Sequence, residues 1–231
     1  MTKILKNKNS TFFCFTPEVM LATFLIETIL ALYVFIRYRT TPFSRLAVLL
    51  LMLLAGFQFA EYQICVGSDS IFWSRIGFII ITLLPVLGLH LITLLAGKDY
   101  FLKFGYVLMF TYIAIFAFGE KAISQATCGG NYIIFNTAQE LWWTYAVYYF
   151  GFLFLGIWVA VKTLLVKNAA ILYWMILGYA SFMLPMGIVY LISAAAAWNA
   201  TPSIMCGFAI IFAIILALKV VPLYYKRYAA E

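Results

Sequence analysis

Charge is the scarcest property of this chain. Only 10% of its 231 residues are Asp, Glu, Lys or Arg, while 66% are hydrophobic and mean hydropathy is +1.04. Soluble domains run near 45–50% apolar, so the composition excludes an ordinary soluble domain. Histidine is almost missing: His90 stands alone. One histidine cannot build the convergent ligand set of a zinc hydrolase, nor ligate a haem from both sides. There is no Cys-x-x-Cys, no G-x-S-x-G, no H-E-x-x-H and no phosphate-binding glycine loop. A retinal Schiff base needs a lysine deep in a helix, and Lys219 lies near the end of the last apolar run. No cofactor and no metal is therefore expected. Linkers, charge blocks and internal repeats are also missing, so residues 1–231 read as one domain.

What remains is apolar. Seven runs at or near the 20 residues that cross a bilayer cover 18–36, 46–65, 76–96, 104–118, 141–165, 169–197 and 204–221. The runs are continuous rather than alternating, which excludes a barrel. The expected fold is all-α, a polytopic seven-helix transmembrane bundle. The fourth run is the shortest. Pro85 and Pro185 fall inside the third and sixth, where a missing N–H favours a kink.

The net charge of +7 does not suggest nucleic acid, because the basic residues are scattered singly at run ends. That pattern is topogenic, with anionic headgroups as its partner. Placing the N-terminus outside puts Arg37, Arg39, Arg45, Lys98, Lys103, Lys162, Lys167, Lys219, Lys226 and Arg227 in the cytoplasm, against Lys3, Lys6, Lys8, Arg75 and Lys121 outside. N-terminus out and C-terminus cytoplasmic is the expected orientation. All four cysteines then fall at the outer face. A Cys65–Cys128 disulfide is the leading pairing, since Cys65 ends the second run and Cys128 sits in the long outer loop at 119–140. Two Asn-x-Thr triplets, at Asn9 and Asn199, also fall outside.

Against this background two acids stand out. Glu27 and Glu61 lie within apolar runs, and a charge at membrane depth costs several kcal/mol unless it is compensated. Counting about 1.5 Å per residue, Glu27 lies roughly 15 Å from Arg37 and His90 roughly 12 Å from Lys98. These two are expected to meet near the midplane as a coupling element. Glu61 is nearer the outer face and is expected to pair with Arg75 across a short turn. Gln58, Glu61 and Cys65 share one face of the second helix. Trp142, Tyr145, Tyr149 and Phe152 form a stripe on the fifth, headed by Glu140. An acid-and-amide face opposite an aromatic one would frame an outward-opening ligand pocket.

The stretch from Arg37 to Lys98 resembles the N-terminal seven-helix region fused to bacterial histidine kinases. Arg37-Tyr-Arg-Thr-Thr-Pro42, Phe72-Trp-Ser-Arg-Ile-Gly77, Pro85 and Gly97-Lys98 carry the resemblance. Cys14-Phe-Thr and Gly56-Phe-Gln-Phe-Ala-Glu61 also resemble a family of bacterial multi-pass proteins without known function. The first resemblance implies sensing of small ligands or membrane state, with output through a separate cytoplasmic partner. The expectation is a bacterial inner-membrane sensor or receptor-like protein that binds a small or lipid-like molecule without catalysis, alone or as a homo-oligomer. A proton- or cation-coupled transporter is the alternative. An intramembrane lipid- or thiol-modifying enzyme comes third, because no histidine reaches Cys14 or Cys206 at outer depth.

Overall fold

The helices begin and end where short polar residues and glycines satisfy their open backbone groups. The computed structural model describes residues 16–38, 40–99, 101–129, 133–167 and 170–228. Lys3, Lys6, Lys8, Cys14, the Asn9 triplet and Arg39 lie outside them. The first helix, α1, is Pro17–Tyr38. In α2 (Pro42–Cys65) the Thr41 side chain accepts from the Ser44 N–H, and proline fills the first turn, where no donor is needed. In α3 (Ser70–Ala96) the Asp69 carboxylate accepts from the N–H groups of Ile71 and Phe72, and Gly97 closes the helix at φ 71°. Next comes α4 (Leu102–Phe118), entered through Phe101 in the left-handed region at φ 52°.

A two-stranded antiparallel hairpin, β1 (Ile123–Cys128) and β2 (Ile133–Thr137), replaces the long loop expected at 119–140. The described residues are otherwise helical, so the all-α expectation holds for the bundle, with this small hairpin added. Helix α5 (Gln139–Lys167) follows, then a long helical run, α6 (Ala170–Ile215). A π-helical turn, Leu216–Val220, leads into α7 (Val221–Tyr228). The π turn precedes Pro222, whose ring and missing N–H disturb the ordinary α pattern; in it Val221 N–H reaches back to the Leu216 carbonyl.

Among the described residues six stretches are long and apolar enough to cross a membrane: Pro17–Tyr38, Pro42–Cys65, Ser70–Ala96, Gln139–Val166, Ala170–Ile192 and Ala200–Arg227. The apolar α4 has 17 residues. This is the architecture of a multi-pass membrane protein, with exposed leucine, isoleucine and phenylalanine on the outer faces. A straight 46-residue helix would be about 69 Å long, more than twice the hydrocarbon core of about 30 Å. The run in fact folds back. Tyr190 and Thr201 are eleven residues apart, roughly 16 Å along a straight helix, yet their hydroxyls are 2.9 Å apart. Tyr179 packs edge-on against Phe212, with ring centroids 5.6 Å apart. Two antiparallel arms result, Ala170–Ile192 and Ala200–Ile215, the second continuing through the π turn and α7.

The hairpin closes one end of the bundle. Ile123, Ala126, Ile133 and Phe135 are buried, and Phe135 meets Phe78 of α3 edge-on at 5.3 Å. Cys65 and Cys128 form a disulfide that joins α2 to β1, as the sequence led us to expect. At the other end Tyr38 meets Tyr225, and Phe43 stacks on Tyr224 at 4.1 Å. These define a hairpin end and a basic end.

Two glycines give opposite expectations. A Cβ on Gly178 would lie 2.7 Å from Phe212 Cδ2, at the seam of the two arms. Overpacking costs typically 1–3 kcal/mol, more than the gain of about 1 kcal/mol in helix propensity. Gly178→Ala should therefore lower the thermal midpoint. A Cβ on Gly151 meets nothing within 4 Å, so Gly151→Ala should raise it by the propensity term alone. Thermal unfolding of both variants in one detergent checks the pair, and a rise for Gly178→Ala would contradict the packed seam.

Candidate functional site

Only one stripe of α1 faces the protein: Met20, Thr23, Glu27, Ala31 and Val34, spaced three or four residues apart. Glu27 sits at its centre with 0% exposure. Among the described residues neither carboxyl oxygen has a hydrogen-bond partner. From α2, Gln58 and Glu61 point into the same interior at 2% and 1% exposure, one helical turn apart. Gln58 Nε2 and Glu61 Oε1 are also unpartnered. Each atom is a strong hydrogen-bonding group held away from water, and such groups are costly when left unpaired.

The two acids belong to one cluster. The charge felt by Glu27 is that of Glu61, and the thiol of Cys206, on the second arm of α6, lies within electrostatic range of both. Ser203, one turn earlier, faces the Glu61 carboxyl at hydrogen-bonding range. Its oxygen accepts the Ile133 N–H of β2 at 3.2 Å. Polar groups thus lead from Glu61 through Ser203 to the hairpin backbone, with Glu27 and Gln58 buried in the same interior. Among the described residues no Lys, Arg or His forms an ion pair with either acid. A cavity of about 30 Å³, large enough for about one water, reaches Cys206 and Tyr149 but is not lined by Glu27, Gln58 or Glu61.

Other expected site residues lie elsewhere. Arg75 does not pair with Glu61. Its Nη1 and Nη2 donate to the carbonyls of Ala117 and Gly119, at 3.3 and 3.4 Å. Those carbonyls end α4, where a cation is favoured by the helix dipole and by unsatisfied acceptors. His90 does not meet Glu27: its Nδ1 is 2.7 Å from the Tyr106 hydroxyl of α4. Glu140 is exposed in the first turn of α5. Trp142, Tyr145 and Tyr149 do face inward, but the second arm fills the space expected to be an open pocket. Thr201, Pro202 and Met205 line a small cavity of about 20 Å³ with them. Tyr145 is 3.1 Å from Thr82 Oγ1, and Tyr148 donates to the Thr82 carbonyl at 2.6 Å, one turn before Pro85. The stripe is therefore a packed seam between α3 and α5.

Ser203 was not singled out in the sequence, and Cys206 was weighed only as an outer thiol, because small polar residues are unremarkable in an apolar run. Their i, i+3 spacing on a face with Ala200 and Ala209 was the available signal. The displaced Arg75 gives a direct check. In a double-mutant cycle, Arg75→Ala and Glu61→Gln should be additive within about 0.5 kcal/mol. Arg75→Ala alone should cost about 1.5–3 kcal/mol, because its hydrogen bonds carry charge. A large coupling would restore the pair. Comparison with known families and with curated proteins adds no constraint: no family model and no curated protein matches the chain.

Proposed function

We propose that this chain is a seven-helix sensory protein of the bacterial inner membrane, with its N-terminus outside and its C-terminus in the cytoplasm. It binds a cation, a proton or a small metal ion, between Glu27 and Glu61, and acts without catalysis. The observation that carries this reading is Glu27 itself. An acid with no exposure, two oxygens unpartnered among the described residues and a second acid within electrostatic range is stabilised by positive charge, a bound proton included. The tight packing favours a small cation over an organic ligand.

The sequence resemblance to kinase-linked sensor regions supports a signalling role through a separate partner. The distribution of ten Lys and Arg at one face against five at the other supports the orientation. In this reading α4 is the remaining span: at 17 residues it is about 25 Å long and runs beside α3. Transport is the second reading, favoured by the polar groups that lead from Glu61 to the hairpin end. Flux across sealed proteoliposomes separates the two, since a sensor moves no net cation. Binding is read by thermal stability of the purified protein against pH and against added sodium or potassium. A protein indifferent to all three would not bind a cation at these acids.

A further inference from the structure

At the basic end, far from the acids, the first and second arms of the α6 hairpin part around a groove of about 280 Å³. Its walls are Trp174 on one side and Leu218, Lys219, Pro222, Leu223 and Lys226 on the other. We infer that this groove binds the phosphate headgroup of an anionic phospholipid.

The argument starts from charge. Among the described residues, Arg37, Arg45, Lys98, Lys103, Lys162, Lys167, Lys219, Lys226 and Arg227 gather at the helix ends of this face, and Asp99 is the single acid among them. Of these basic residues, two line the groove. Lys219 and Lys226 are seven residues apart, about two helical turns, and both line the one groove. The Lys219 ammonium stands 5.6 Å above the Trp174 ring centroid, so the aromatic face holds it in place. Both lysines are exposed.

The surroundings match a lipid rather than a free anion. Tryptophan at the end of a membrane-length helix lies at headgroup depth. Leu218 beside Lys219 is nearly half exposed and gives the groove an apolar wall continuous with the lipid-facing side. A headgroup phosphate between the ammoniums would therefore leave its glycerol and first acyl carbons against leucine. The π turn contributes by carrying Lys219 on the widened segment just before Pro222, where the helix surface opens. Basic pockets between helices at a membrane face recognise anionic headgroups in this manner.

The test uses the full chain reconstituted in equal parts of phosphatidylglycerol and phosphatidylcholine, gently extracted, with retained lipid read by native mass spectrometry. The wild type should retain phosphatidylglycerol in clear excess, with roughly fivefold contributed by each lysine. Lys219→Gln/Lys226→Gln should bring the two lipids to parity, whereas Lys219→Arg/Lys226→Arg should keep the preference. Lys162→Gln is the control, an exposed lysine at the same end that lies over Trp158 instead; it should retain the excess. Soluble glycerol phosphate in the extraction buffer should not displace the lipid. Equal retention of both lipids by the wild type, an equal loss in the Lys162 control, or displacement by glycerol phosphate would each overturn the inference.

Discussion

Glu27→Gln should abolish the response of the protein to protons and small cations while leaving the bundle folded. The substitution keeps the shape of the side chain and removes the charge that needs offsetting. Neutral replacements of buried charge are often harmless or stabilising, so the thermal midpoint in the absence of cation should hold or rise. In the wild type a cation present at about 100 times its dissociation constant adds about 2.7 kcal/mol, roughly 5–10 °C for a chain of this size. That increment should vanish in Glu27→Gln and shrink in Glu61→Gln. Glu27→Lys sharpens the test by bringing its own cation to Glu61, and it should be insensitive to added ions. A full cation-induced shift retained by Glu27→Gln would end the proposal, whatever the stability of the variant.

Removing the Cys65–Cys128 disulfide should produce the largest stability change. The bond closes a loop with a sequence separation of 63 residues, and native disulfides of this kind contribute typically 2–4 kcal/mol. The double variant Cys65→Ser/Cys128→Ser should therefore unfold roughly 4–16 °C lower. The loss should be local at first. The hairpin keeps its contacts of Phe135 with Phe78 and of Ile133 with Ser203 but loses its covalent tie to α2. Hydrogen exchange should rise at 123–137 before it rises in α3. Reductant should reproduce the effect in the wild type and add nothing in the variant. Identical midpoints with and without reductant would show that noncovalent packing alone holds the hairpin.

The helices were readable in the sequence because apolar length and polar ends are local properties. The disulfide was readable too, since up-down topology places Cys65 and Cys128 at the same end. The hairpin was not recognised, although Ile123–Cys128 and Ile133–Thr137 flank Gly129, Gly130 and Asn131, a turn composition with β-branched neighbours on each side. The site shows a deeper limit. Estimating depth from helix rise placed Glu27 beside His90, and matching opposite charge placed Glu61 beside Arg75. The first assumed that α1 and α3 are neighbours; the second needed only α2 beside α3, which do pack, Phe59 against Trp73 with ring centroids 5.5 Å apart. In the fold Arg75 satisfies the end of α4 and His90 meets Tyr106. The two acids are left to each other, a like-charge pairing that local sequence rules do not favour. Neighbour order is a nonlocal property, and so is the choice of Arg75 between an acid on α2 and the open carbonyls at the end of α4.

Helix α1 is the peripheral member of this assembly: one narrow stripe of it is buried, and the remaining faces carry exposed apolar side chains. The uncompensated acid lies in the middle of that stripe. On the proposed reading a cation between Glu27 and Glu61 would bear on the seam between α1 and α2. A 22-residue helix is a stiff rod of about 33 Å, and its far end carries Tyr38 against Tyr225. On that reading a change of spacing at the acid pair would be carried along the rod to the tyrosine contact, a lever with its tip beside the last helix.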